Sequence, residues 1–256
     1  MRPRGIRTMH HYTPTRTLLA CALVAASAIT LGGQYSLTVN KDRLINAKNE
    51  PQNWLIMNGD YTSTRYSTLT QIDRDNVGAL RMVWSRALTP GSQQGTPLVY
   101  NGTMYMPNPD DVIQAMNAVT GDLLWEYRRA HPDDLEDYIR AEANRNLAIY
   151  GTQIIDTSKD DYVFALDAVT GRLAWETQIL DYTTQPAHQS SGPIIANGKI
   201  VFGRGCMPRG GPDACVITAH DATTGEELWR RRAIPAPGEI VWYYQHLNDQ
   251  WDLNHP

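Results

Sequence analysis

Basic residues are not in excess in this chain of 256: 23 Lys and Arg stand against 27 Asp and Glu, a formal charge of −4. That balance offers no basic face for nucleic acid, and nucleic-acid binding is not expected. None of the seven His has a partner four residues away, which argues against a zinc-hydrolase helix. Neither a Walker loop nor a dinucleotide-type glycine loop occurs. The three Cys make no Cys-x-x-Cys pair, so the sequence shows neither a paired metal signature nor a haem-attachment motif. Phe is nearly missing, at two residues, while Trp and Tyr number 7 and 13. The 42% apolar content excludes wholesale disorder.

No apolar run reaches the ~20 residues that span a bilayer. The run Leu18–Leu31 follows Arg2, Arg4, Arg7 and Arg16 and contains Ala26-Ser27-Ala28. A basic start, a short apolar stretch and a small-residue cleavage pattern predict a secretory signal peptide over residues 1–33. Its removal leaves no stable membrane span and places the chain in the periplasm. Export also makes Cys206 and Cys215 candidates for a disulfide.

What the chain does contain is an internal repeat. Val112–Glu126 (VIQAMNAVTGDLLWE), Tyr162–Glu176 (YVFALDAVTGRLAWE) and Val216–Arg230 (VITAHDATTGEELWR) align without gaps. Each carries Ala, Asn or Asp, Ala, Thr-Gly and Trp at fixed offsets, and Gly121, Gly171 and Gly225 set periods of 50 and 54 residues. Val163, Ala165 and Asp167 alternate with Phe164 and Leu166, the pattern of a strand. Asp167, Thr170 and Gly171 supply turn chemistry, and Leu173 and Trp175 resume the alternation. Upstream, Asn101-Gly102 and Asn197-Gly198 each stand between apolar runs, a strong hairpin signal. Two hairpins in about 50 residues make one four-stranded β-propeller blade. The closing Trp is expected to pack between neighbouring blades. The predicted fold is therefore all-β, built of four-stranded antiparallel repeats.

The period breaks late in the chain. Gly238-Glu-Ile-Val-Trp242 echoes the repeat only 13 residues after Trp229, without the preceding strands. Either Pro235-Ala-Pro237 is a linker or a piece is missing there. The predicted organisation is a leading segment and partial blade over 34–90 ending near Trp84, about three blades over 91–232, and a truncated remnant over 233–256.

The repeat Ala-x-Asp-Ala-x-Thr-Gly-x-x-x-Trp resembles the blade motif of the pyrroloquinoline quinone (PQQ) dehydrogenases. The segments Asn53–Ser67, Ile72–Trp84 and Trp242–Asp252 resemble the alcohol and methanol dehydrogenase branch. The resemblance covers roughly 50–256 and implies part of an eight-bladed propeller holding PQQ and calcium on its axis. It implies oxidation of a small alcohol, with electrons passed to a soluble acceptor such as a cytochrome c. Without a haem-attachment motif in the chain, that electron carrier would be separate or encoded in a missing part.

By the same resemblance, Gln94 stands where relatives have a quinone-contacting Glu, and Arg145 matches an Arg at a quinone oxygen. Its permanent charge suits a developing oxyanion. Thr157 matches a Thr at a PQQ carboxylate, and the amides of Gly205 and Cys206 match a cofactor loop. Met207 stands near the calcium-ligand Glu, and a thioether is a poor ligand for a hard cation. Ile139 and Arg140 replace a pair of adjacent cysteines found in relatives. Cys206 and Cys215 staple the loop they bracket. Asp249 matches the catalytic base, with Asp252 as the residue if the register slips. The alternative class is a non-catalytic propeller of the same repeat, acting as a protein-binding scaffold in the cell envelope. Such a scaffold needs the Trp repeat but neither Arg145 nor the cysteine loop.

Overall fold

The computed structural model describes residues 38–140 and 143–234. Its framework is three four-stranded antiparallel sheets in plain up-and-down order. The first contains β1 (Leu98–Tyr100), β2 (Thr103–Asn108), β3 (Val112–Asn117) and β4 (Leu123–Arg128). The second contains β5 (Ala148–Tyr150), β6 (Gln153–Thr157), β7 (Tyr162–Asp167) and β8 (Leu173–Gln178). A two-stranded ribbon, β9 (Ala187–His188) with β12 (Gly205–Cys206), flanks the third sheet. That sheet is β10 (Ile194–Ala196), β11 (Lys199–Gly203), β13 (Val216–Asp221) and β14 (Glu227–Arg232).

The turns follow from their residues. Asn101-Gly102 and Asn197-Gly198 hold positive φ at both positions, 49° and 76°, then 50° and 75°. This is the hairpin turn whose twist matches the strands it joins. Before each fourth strand, Asn117, Asp167 and Asp221 accept two backbone N–H groups with one side-chain oxygen. The same bulge recurs in all three sheets, between Ala115 and Met116, Ala165 and Leu166, and Ala219 and His220.

Sheets pack on one another through the repeat's Trp. A Cβ built on Gly121 would lie 2.6 Å from Trp84, one on Gly171 2.6 Å from Trp125, and one on Gly225 2.4 Å from Trp175. Only a glycine accepts an indole at that separation. Trp84 and Trp125 also donate from Nε1 to Ala118 O and Ala168 O, at 3.2 and 3.1 Å, in the next repeat. The inter-blade role expected of the Trp is therefore what the structure has. Second and third strands supply large core residues, including Tyr105, Ile113, Ile154, Phe164, Leu166 and Ile200.

The leading segment is tied to the first strand of one sheet and to the β5–β6 turn of the next. Val39 bridges Gly151, and Trp54 bridges Val99. The short helix α1 (Lys41–Ile45), capped by Asn40 Oδ1, directs Arg43 to Glu50 and over the Tyr100 ring at 5.2 Å. Residues 61–90 are mostly exposed and contain one 3-10 turn, Val77–Ala79.

Candidate functional site

The residues leading into the first strand of each sheet lie side by side. Thr96 N–H donates to Arg145 O at 2.8 Å, and Asn146 Nδ2 donates to Pro193 O at 2.8 Å. Equivalent leads of three successive repeats therefore meet along one line, and the Arg145 side chain links them. Arg145 Nε donates to Gln94 Oε1 at 2.8 Å, and one terminal nitrogen reaches Ser190 O at 3.2 Å. Arg145 and Gln94 are both exposed, so a permanent cation and an amide face solvent together.

Thr157 is placed differently. It ends β6 at 1% exposure, and its hydroxyl accepts a close hydrogen bond from Gln189 Nε2. Its reach toward a ligand runs through Gln189. Beside it lies Asp156, wholly buried, which accepts from Asn144 Nδ2 at 2.5 Å and from Thr157 N–H at 2.8 Å. Burial, followed by the nearby Asp111 charge, pushes the Asp156 carboxyl well above its ordinary range. Asn144 Oδ1 and Gln189 Oε1 are buried without a hydrogen-bond partner. Two orphaned acceptors and a carboxyl disposed to hold its proton form one polar cluster beneath Arg145.

Gly205 and Cys206 are exposed and pair with His188 and Ala187 in the ribbon. The stretch 187–190 thus touches Gly205 and Cys206 by strand pairing, Thr157 through Gln189, and Arg145 through Ser190. Gln94, Arg145, Thr157, Gly205 and Cys206, the five expected cofactor positions, all connect to it directly or through Arg145. Cys206 and Cys215 are disulfide-bonded with 4.8 Å between Cα atoms. Met207 is half-buried. Among the described residues, the group of His, Cys, Asp and Glu able to share a metal lies elsewhere, at Asp111, His131 and Asp160. Ile139 is fully buried and Arg140 exposed. Asp249 and Asp252, and residues 1–33, expected to be a signal peptide, lie outside the described residues. Among the described residues, no helix is long and apolar enough to cross a membrane.

Sequence reasoning missed His188, Gln189 and Ser190. The repeat frame could have located Ser190, which precedes β10 as Gln94 precedes β1. An apolar pocket of about 210 Å³ also opens between residues 55–63 and the first strands of sheets two and three, lined by Leu55, Tyr61, Ile149 and Ile195 among others. It includes neither Arg145 nor Gln94.

Comparison with known proteins decides the family. Residues 54–254 match the PQQ glucose/ethanol/alcohol dehydrogenase β-propeller domain. The chain belongs to this family. It is 32% identical over 245 residues to the dehydrogenase subunit of the quinone-dependent alcohol dehydrogenase of Gluconacetobacter polyoxogenes, covering 91% of this chain and 32% of that one. Identity is also 32%, over 253 residues, to quinohemoprotein alcohol dehydrogenase ADH-IIG of Pseudomonas putida, covering 94% of this chain and 33% of that one. The solved structure of the Pseudomonas putida enzyme superposes with a TM-score of 0.70 at 32% identity, covering 77% of this chain and 29% of the other. A europium-containing methanol dehydrogenase gives 0.67 at 28% identity, covering 78% and 35%. The chain therefore spans about a third of the length of these PQQ-family relatives.

Proposed function

We propose that this PQQ-family chain supplies the quinone-facing blades of a periplasmic dehydrogenase that oxidises a small alcohol and passes electrons to a soluble acceptor such as a cytochrome c. The observation that carries this reading is the meeting of Arg145, Gln94 and Ser190 on one exposed edge, from three successive repeats. Bound there, PQQ would supply the electrophilic quinone that takes the alcohol's electrons.

The residues present fit that group. Arg145 offers a guanidinium charge suited to a quinone oxygen that gains negative charge. Gln94 orients Arg145 and, with its Nε2 already donating to Ser92 Oγ at 3.2 Å, keeps one amide N–H for a ligand, which an anionic Glu lacks. The orphaned Gln189 Oε1 and Asn144 Oδ1 sit in the polar cluster behind, where Thr157 holds Gln189 in place. Gly205 and Cys206 present exposed backbone at the ribbon, held by the disulfide to Cys215. Asp249, from the segment after residue 234, serves as the base that accepts the alcohol proton. Calcium does not fit at the Met207 position, because a thioether there replaces the hard oxygen ligand the ion needs. The same reading divides the chain into a signal peptide over 1–33, a leading segment and partial blade over 34–90, blades over 91–232 and a remnant over 233–256.

The test is alcohol-dependent reduction of an artificial dye by a form carrying this chain together with the remaining blades. Arg145→Ala abolishes turnover on this reading, and full turnover by that variant removes Arg145 from the site.

A further inference from the structure

We propose that Asp111, His131 and Asp160 bind one divalent transition-metal ion at the seam between the first and second sheets. The three come from different turns. Asp111 lies in the β2–β3 turn, where Asp110 and Asp111 both hold positive φ, 65° and 52°. His131 follows β4, and Asp160 lies in the β6–β7 turn of the next sheet. One ligand atom from each lies within 4.8 Å of the others, and His131 Nε2 stands 3.5 Å from Asp111 Oδ2. An ion at about 2.1 Å from every ligand tolerates ligand atoms up to roughly 4.2 Å apart, so small side-chain movements close the trio.

Two further observations point to an ion. Both ring nitrogens of His131 are closed to solvent and have no hydrogen-bond partner. A buried imidazole leaves neither its donor nor its acceptor unsatisfied without cost, and metal ligation is a common use of such a nitrogen. Asp111 also has no Lys or Arg side chain at ion-pair distance among the described residues. Asp110, Asp160 and Glu176 meet Lys159 and Arg129 at ion-pair distance, and Arg128 and Arg204 add positive charge farther off. Arg129 is committed to Asp160 Oδ1 at 2.7 Å and to Glu176 at 2.9 Å. The Lys159 ammonium sits on Asp110, and Asp111 receives only the Lys159 backbone N–H, at 2.8 Å. A divalent ion would supply Asp111 with a cation. One imidazole nitrogen with two carboxylates suits zinc, manganese or cobalt and not an all-oxygen calcium cage. Such an ion would tie two sheets together, and it uses none of the residues around Arg145.

Zinc is the probe. Equilibrium dialysis of the full chain at neutral pH, with metal analysis, is expected to find one zinc per chain. His131→Gln is expected to weaken it at least about 100-fold, since even groups behind the ligands are worth 10–100-fold, while the far-ultraviolet circular dichroism stays that of the parent. X-ray absorption at the zinc edge of the unsubstituted protein reads the site without any variant, and one imidazole in the shell is expected. No stoichiometric zinc, equal binding by His131→Gln, or a shell with no imidazole or with several would overturn the proposal.

Discussion

Trp125 lies against Gly171 of the following repeat so closely that a Cβ at Gly171 would stand 2.6 Å from indole Cδ2. The same contact joins Trp84 to Gly121 and Trp175 to Gly225. One residue thus serves twice, because Gly171 also needs φ of 69° to close the turn before β8.

Gly171→Ala is accordingly expected to combine overpacking with left-handed strain and to cost about 3 kcal/mol in urea unfolding. Gly102 is the control. It has nearly the same φ, 76°, but open space where a Cβ would go. Gly102→Ala should therefore cost only the backbone part, about 1 kcal/mol. Equal losses at the two positions would refute the indole contact.

The Cys206–Cys215 bond closes a short loop, with a sequence separation of 9. Peptide mapping without reductant should recover the two cysteines in one linked fragment. Replacing both with Ser should lower stability by about 2–3 kcal/mol through the freed unfolded chain. Two free thiols in oxidised protein would contradict the staple.

His220 carries the pH prediction. It is buried, stacked on Phe202 at 5.3 Å, with Nδ1 at 3.0 Å from Gly225 O and Nε2 at 3.1 Å from Thr218 Oγ1. Burial, ahead of the opposing hydrogen bond to Gly225, lowers its pKa below the ordinary value of 6.5. The unfolded chain then binds the proton more readily, so stability falls as pH drops below about 6.5 and levels off under the folded-state pKa. Urea midpoints at pH 7.5 and 5.0 should differ more for the parent than for His220→Gln. An unchanged difference would assign the pH dependence to other groups.

Thr157 and Arg145 separate by their effects on PQQ affinity. Thr157→Val removes a buried hydroxyl and should cost about 1 kcal/mol of stability. Because only Gln189 stands between that hydroxyl and the exposed edge, PQQ affinity should change by no more than roughly threefold, the scale of an interaction lost indirectly. A loss as large as that of Arg145→Ala would make Thr157 a direct ligand.

Much of this architecture is legible in the sequence because it repeats. The Asn-Gly turns, the Asp or Asn before each Gly, and the Trp four residues after it recur in register, and each has one physical task. Arg145 and Gln94 were accessible only through the family resemblance, whereas their contact follows from the repeat frame. Gln189 carries no signal of its own, and Ser190 only its place ahead of β10 in the repeat frame. The ribbon just before them, Ala187–His188 with Gly205–Cys206, pairs two residues with two, too few for an alternation to register. Asp111, His131 and Asp160 share no local spacing at all, since the fold alone brings three separate turns together.

The central claim is that the edge around Arg145 receives PQQ, and direct titration of the chain with the cofactor tests it. Quenching of tryptophan fluorescence should saturate at one PQQ per chain. Arg145→Ala should weaken binding by roughly 10–100-fold, the range for a charged hydrogen bond. Absence of saturable binding, or equal affinity in the Arg145→Ala protein, would contradict the account.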